Sequence, residues 1–198
     1  MTLETASPRH RTEAEDVDES LGLIQAEVSA AAGALERGEL AAVARMVREA
    51  RRVFVVGAGR SGLVLRMAAM RLMHLGLDVH VVGEVTTPAI GSGDLLVAAS
   101  GSGRTAGVVK SKSTAAAVGA RIAAYTTAPS SPLAARADAV VVIPAAQKTD
   151  HGGEVSRQYS GSLFEQTLFL AAEAVFQSLW MADGSAAEEL WLRHANLE

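Results

Sequence analysis

Hydroxyl and glycine residues are concentrated in two short loops whose composition suits anion binding. The second, Ser100-Gly101-Ser102-Gly103-Arg104-Thr105, offers three hydroxyls separated by glycines that let the backbone curl around a ligand. A helix beginning near Thr105 would aim unpaired N–H groups and a partial positive charge at the same spot, a combination that fits a phosphate monoester. Arg104 adds a positive charge there. The competing reading is that Ser and Thr only cap the helix while Gly makes a turn. The first loop, Gly57-Ala58-Gly59-Arg60-Ser61-Gly62, also follows an apolar run and opens a helix. It satisfies the dinucleotide pattern G-x-G-x-x-G, with Glu84 placed past the next strand where a ribose-binding acid would stand. Against that reading, Arg60 is bulky for such a loop, and a dinucleotide leaves the second loop without a role. The fork of donors on Arg60 suits a phosphate or substrate hydroxyls, with Gly59 and Ser61 beside it. A Walker loop is excluded in both places, because neither carries its lysine.

Proton-transfer groups are few. Glu165 stands in Ser162-Leu163-Phe164-Glu165, which has the spacing of a capping box; a capping glutamate and a general base are both open on spacing alone. His194 lies near the end of the last helix and His74 precedes Leu75-Gly76, positions where a histidine commonly caps. His151 has no partners at metal-ligand spacing, and the absence of Cys removes thiolate nucleophiles, thiolate metal sites and disulfides. No metal site is expected.

The elements that must position these groups alternate regularly. Helical spacing covers residues 21–35 and 40–51, followed by apolar β-branched runs at 53–56, 79–82, 95–99, 122–125 and 140–143. Helix-like stretches at 61–74, 105–118 and, briefly, 131–136 separate them, whereas 83–93 lacks a full helix. Two helices, 163–182 and 185–194, close the chain. Uniformly apolar strands alternating with helices predict an α/β fold: a three-layer αβα sandwich around a five-stranded, mainly parallel sheet. Ligands in such sheets collect beyond the carboxyl ends of the strands, where both loops fall. The polar stretch 144–160, with Gln147 and Lys148, is long for a connecting loop and reads as ligand-facing. Residues 1–19 are polar and acid-rich, are expected to be poorly ordered, and lack an export signal; residues 20–198 are expected to form a single domain.

The net charge is -4, with no basic stripe or aromatic platform, so a nucleic-acid partner is not expected. Residues 163–182 are interrupted by Glu165, Gln166, Glu173 and Gln177, which suits a core or subunit-interface helix rather than a membrane span. A cytoplasmic setting is expected.

The segments 53–62, 70–74 and 100–105, with Gly161-Ser162-Leu163-Phe164-Glu165 and the terminal Arg193-His194-Ala195-Asn196-Leu197-Glu198, resemble the 6-phospho-3-hexuloisomerase branch of the sugar isomerase (SIS) domain family from about residue 21 onward. The Ser-Gly-Ser-Gly loop alone indicates only the broad phosphosugar-binding family. The resemblance implies interconversion of D-arabino-3-hexulose 6-phosphate and D-fructose 6-phosphate in the ribulose monophosphate route of formaldehyde fixation, without metal, nucleotide or other cofactor. It implies Glu165 as the base for a 2,3-enediol, and His194 as an acid or hydroxyl partner from the same or a neighbouring subunit. It further implies a substrate contact from Gln147 or Lys148, and a homo-oligomer, by analogy a tetramer. Arg104 departs from the acid or small residue found in other sugar isomerase domains. Other phosphosugar isomerases, acting on arabinose 5-phosphate or sedoheptulose 7-phosphate, and non-catalytic phosphosugar sensors are the alternatives.

Overall fold

The computed structural model of the protein describes residues 11–147 and 155–197. Its elements run α1 (Glu13–Gly33), α2 (Arg37–Glu49), β1 (Val53–Gly57), α3 (Gly59–His74), β2 (Val79–Val81), β3 (Leu95–Ala99), α4 (Ala106–Ala117), β4 (Arg121–Thr126), β5 (Ala139–Val142), α5 (Ser162–Asp183) and α6 (Ala187–Trp191). The sheet order is β2-β1-β3-β4-β5 and every pairing is parallel. All five strands of the sequence reading are present.

Alternation along the strands divides the core in two. Val53, Val55, Leu95, Val97, Ala123, Tyr125 and Val141 face α2, α3 and α5, with α1 packed outside on α5. Phe54, Val56, Leu96, Ala98, Ile122 and Ala124 face α4. The crossover through α3 therefore lies on one face and that through α4 on the other, as right-handed connections require when strand order reverses. The reversal falls between β1 and β3.

Two helical expectations are corrected. Helix α1 begins at Glu13, so residues 13–19, expected to be poorly ordered, are helical; Thr12 and Glu15 form a reciprocal capping box there. Residues 131–136 form turns rather than a helix. They are held by long-range contacts, the Lys112 ammonium donating to the Ala135 carbonyl and the Leu133 N–H to the Gly103 carbonyl.

The edge of the sheet opposite the loops is closed by charge. Asp94, fully buried at the start of β3, accepts from Arg52 Nη2 at 2.6 Å, Arg51 Nε at 3.2 Å and the Gly91 N–H at 2.8 Å. Burial would raise its pKa, but the Arg52 and Gly91 hydrogen bonds and the two guanidinium charges together hold it below the usual carboxylate range.

Candidate functional site

The crevice between β1 and β3 is the topological switch point of this doubly wound sheet, and both glycine loops leave it. In the first, Gly59 takes φ +57°, a left-handed conformation that costs glycine little. Gly57 and Gly62 bring strand and helix backbones together: a Cβ on Gly62 would lie 2.6 Å from the Gly57 oxygen. The pattern that resembles a dinucleotide motif is accounted for here by helix–strand contact. Glu84, the candidate ribose acid, is paired at the surface with Arg66.

The second loop is fixed from several directions. The Ser100 and Thr105 hydroxyls are 2.8 Å apart, and the Ser102 hydroxyl accepts from the Arg104 N–H at 3.3 Å. The Gly101 carbonyl accepts from the Thr126 and Thr127 hydroxyls at 3.0 and 2.9 Å and from the Thr127 N–H at 3.0 Å. Gly103, at φ +62°, fits beneath buried Ser131, while Phe164 lies against Gly101. Thr105 is the N-cap residue of α4, yet its side chain makes no cap hydrogen bond. Simple capping therefore does not describe this loop.

Together the loops enclose a cavity of about 540 Å³. Gly59, Ser61, Ser100, Gly101, Ser102, Arg104, Thr105 and Gln147 all line it, joined by Ala146, Gly161 and Phe164. Gly103 is absent from the wall because it lies buried under Ser131. Sequence reasoning missed Phe164, Thr126, Thr127 and Ser131. Phe164 could have been noticed beside Glu165, but no local pattern marks the other three.

Glu165 does not cap α5. Gly161, at φ +91°, is the N-cap residue, Ser162 is already helical, and among the described residues no side-chain cap hydrogen bond is made at this end. The capping-box expectation is thus corrected by one residue of register. The Glu165 side chain, only 4% exposed, turns toward α3, where Oε2 is 2.9 Å from Arg60 Nε and Oε1 is 3.5 Å from the Ser61 hydroxyl. The carboxylate does not line the cavity; it borders a neighbouring groove and is linked to the cavity through Ser61, which lines it. Arg60, expected to clamp the ligand, faces Glu165 and a shallow groove with Leu63, Met67 and Phe169.

His194 is not brought to this cavity within its own chain. Its ring stacks on His74 at 4.0 Å and lies 4.4 Å from that of Trp191. Arg193 Nη1 donates to the His74 carbonyl at 3.0 Å, so the last turn of α3 is closed by the C-terminal segment. Gly59 and His74 are opposite ends of α3, about 22 Å apart at ~1.5 Å per residue. Burial, the neighbouring His194 and Arg71 all push the His74 pKa below its ordinary value. Lys148 and His151 lie outside the described residues. Among the described residues, no helix is long and apolar enough to cross a membrane.

A phosphosugar-binding α/β domain is the class that this fold and cavity define, and the chain belongs to the SIS domain family, which matches residues 46–170. The chain is 64% identical to the 3-hexulose-6-phosphate isomerase of Mycobacterium gastri over 93% of this chain and 92% of the relative. It is 41% identical to the Bacillus subtilis protein of that name, over 74% and 80% of the two chains. A Methanococcus jannaschii crystal structure, from which a 3-hexulose-6-phosphate isomerase function was inferred, superposes with a TM-score of 0.79 at 27% identity. It covers 91% of this chain and 99% of its own.

Proposed function

We propose that the protein is a 3-hexulose-6-phosphate isomerase, converting D-arabino-3-hexulose 6-phosphate to D-fructose 6-phosphate. The observation that carries this reading is a cavity walled by a hydroxyl-rich loop and by Ser61, whose hydroxyl stands 3.5 Å from the buried Glu165 carboxylate. The phosphate is received by Ser100, Ser102, Thr105 and the amino end of α4, with Arg104 supplying positive charge. Gln147, which lines the cavity, meets the sugar, with Lys148 next to it in sequence. A cavity of about 540 Å³ is ample for a hexose phosphate.

Moving the carbonyl from C3 to C2 needs one proton removed from C2 and one delivered to C3 through a 2,3-enediol. Glu165, behind Ser61, is the group that shuttles it. His194 serves as acid or hydroxyl partner in the site of a neighbouring copy, because its own cavity lies at the other end of α3. The active unit is accordingly a homo-oligomer, a tetramer by analogy, acting in the cytoplasm in the ribulose monophosphate route. Neither metal nor nucleotide takes part in the reaction.

The test is turnover of enzymatically prepared 3-hexulose 6-phosphate by purified protein, read as fructose 6-phosphate. Glu165→Gln is expected to retain phosphosugar binding and lose about 10²-fold or more in kcat. Substrate binding without turnover by the parent protein would instead identify a sensor.

A further inference from the structure

Arg60 and Glu165 form a contact whose geometry assigns them a joint task. Arg60 Nε holds one carboxylate oxygen at 2.9 Å, while the hydroxyl of the next residue, Ser61, approaches the other at 3.5 Å. The side-chain exposures are very unequal, 4% for Glu165 and 64% for Arg60. A carboxylate withdrawn from water needs a charge partner, whereas a guanidinium left largely in solvent can lose its partner at little cost. Arg60 also stands in the first turn of α3, where a cation opposes the helix dipole and an adjacent anion offsets the conflict. Arg104, by contrast, lines the cavity itself and makes no ion pair among the described residues.

We propose that Arg60 is a positioning residue that acts through Glu165, holding the base aimed past Ser61 and balancing its charge, rather than a clamp on the substrate phosphate. The inference rests on the isomerase reading above. In the step it serves, the C2–H bond breaks and the proton passes to Glu165. The C–H electron pair becomes the C2=C3 bond, and the carbonyl π pair moves to O3. Negative charge thereby leaves the carboxylate for the enediolate. The O2 hydroxyl proton passes to O3. When Glu165 gives its proton back, the C2=C3 pair forms the C3–H bond and the pair left on O2 closes the C2 carbonyl, with Arg60 solvated until the carboxylate is charged again.

The experiment compares Arg60→Met, Arg60→Lys, Glu165→Gln and the double variant Arg60→Met/Glu165→Gln in the full-length protein. It measures kcat, KM for 3-hexulose 6-phosphate, and competitive inhibition by inorganic phosphate. Arg60→Met is expected to lower kcat by about 10- to 100-fold while KM and the phosphate inhibition constant stay within about twofold. Arg60→Lys should restore part of the loss. In the Glu165→Gln background, Arg60→Met should cost nothing further, because the group through which it acts is gone.

An increase in KM and in the phosphate inhibition constant with kcat preserved would overturn the proposal and make Arg60 a clamp. A full additional loss in the Glu165→Gln background would also overturn it. Wild-type protein that fails to turn the substrate over would overturn the isomerase reading itself, a failure visible before any substitution is compared.

Discussion

Replacing Gly103 by alanine tests how the Ser-Gly-Ser-Gly loop is built. The new Cβ would stand 1.9 Å from the Ser131 hydroxyl oxygen, 2.3 Å from Ser131 Cβ and 3.1 Å from the Thr126 hydroxyl oxygen. It would also have to adopt φ +62°. The left-handed conformation costs a non-glycine residue about 1–2 kcal/mol, and overpacking a buried site costs about 1–3 kcal/mol. Ser131 is buried, so relief requires the 131–136 turns to move. The sum, about 2–5 kcal/mol, corresponds to a fall in Tm of roughly 4–20 °C for a domain of this size. Because Gly103 lies between Ser102 and Thr105, displacement of this loop should raise KM for the phosphosugar as well. Thermal unfolding and initial-rate assays measure the two effects. Pairing the change with Ser131→Gly removes both of the closest clashing atoms. The double variant should therefore cost less than the sum of the two single variants, by about the overpacking share of 1–3 kcal/mol. Strict additivity, or Gly103→Ala protein melting within about 1 °C of the parent, would refute the account of the loop.

Asp94→Asn should destabilise the protein by about 3 kcal/mol at neutral pH, read by denaturant unfolding, at the low end for a broken buried pair because Arg51 remains solvated. The folded-state pKa of Asp94 is depressed, so its contribution is fully present above the unfolded value of about 4 and fades as pH falls through the lower folded value. The gap between parent and variant should accordingly narrow below about pH 4, and a constant gap would count against the assignment. Glu27 accepts from the Ser156 hydroxyl at 2.6 Å, the Arg157 N–H at 2.8 Å and Gln158 Nε2 at 3.0 Å, tying residues 156–158 to α1. Glu27→Gln should weaken this tie by about 1 kcal/mol and speed tryptic cleavage after Arg157 by about fivefold; unchanged cleavage would show that the tie does not restrain this segment.

Much of this architecture is legible in the chain. Five apolar runs separated by helix-forming stretches lead directly to a parallel sheet, and two loops on neighbouring strands lead to a shared cavity. Failures occur where the deciding contact is distant in sequence. Residues 131–136 have helix-compatible composition, yet Lys112 and Gly103 fix them as turns. Ser162-Leu163-Phe164-Glu165 has capping-box spacing, but left-handed Gly161 takes the cap position and shifts the helix start. Local reasoning about Arg60 could not see Glu165, which folding brings beside it. His194 is a candidate only through a family resemblance, and its own chain stacks it on His74, far from the cavity.

The pinning of Gly101 has a consequence for how the site comes into being. Its carbonyl is held by Thr126 and Thr127 beyond β4, and its other side rests on Phe164 of α5. These are non-local contacts, which form only after the intervening chain has been ordered. A fragment ending after α4 would contain the entire Ser-Gly-Ser-Gly loop and still lack the contacts that shape the cavity wall. Affinity is in this sense a late product of folding. A ligand captured there binds the native state alone, and so stabilises the whole domain in proportion to the logarithm of its concentration once that exceeds Kd.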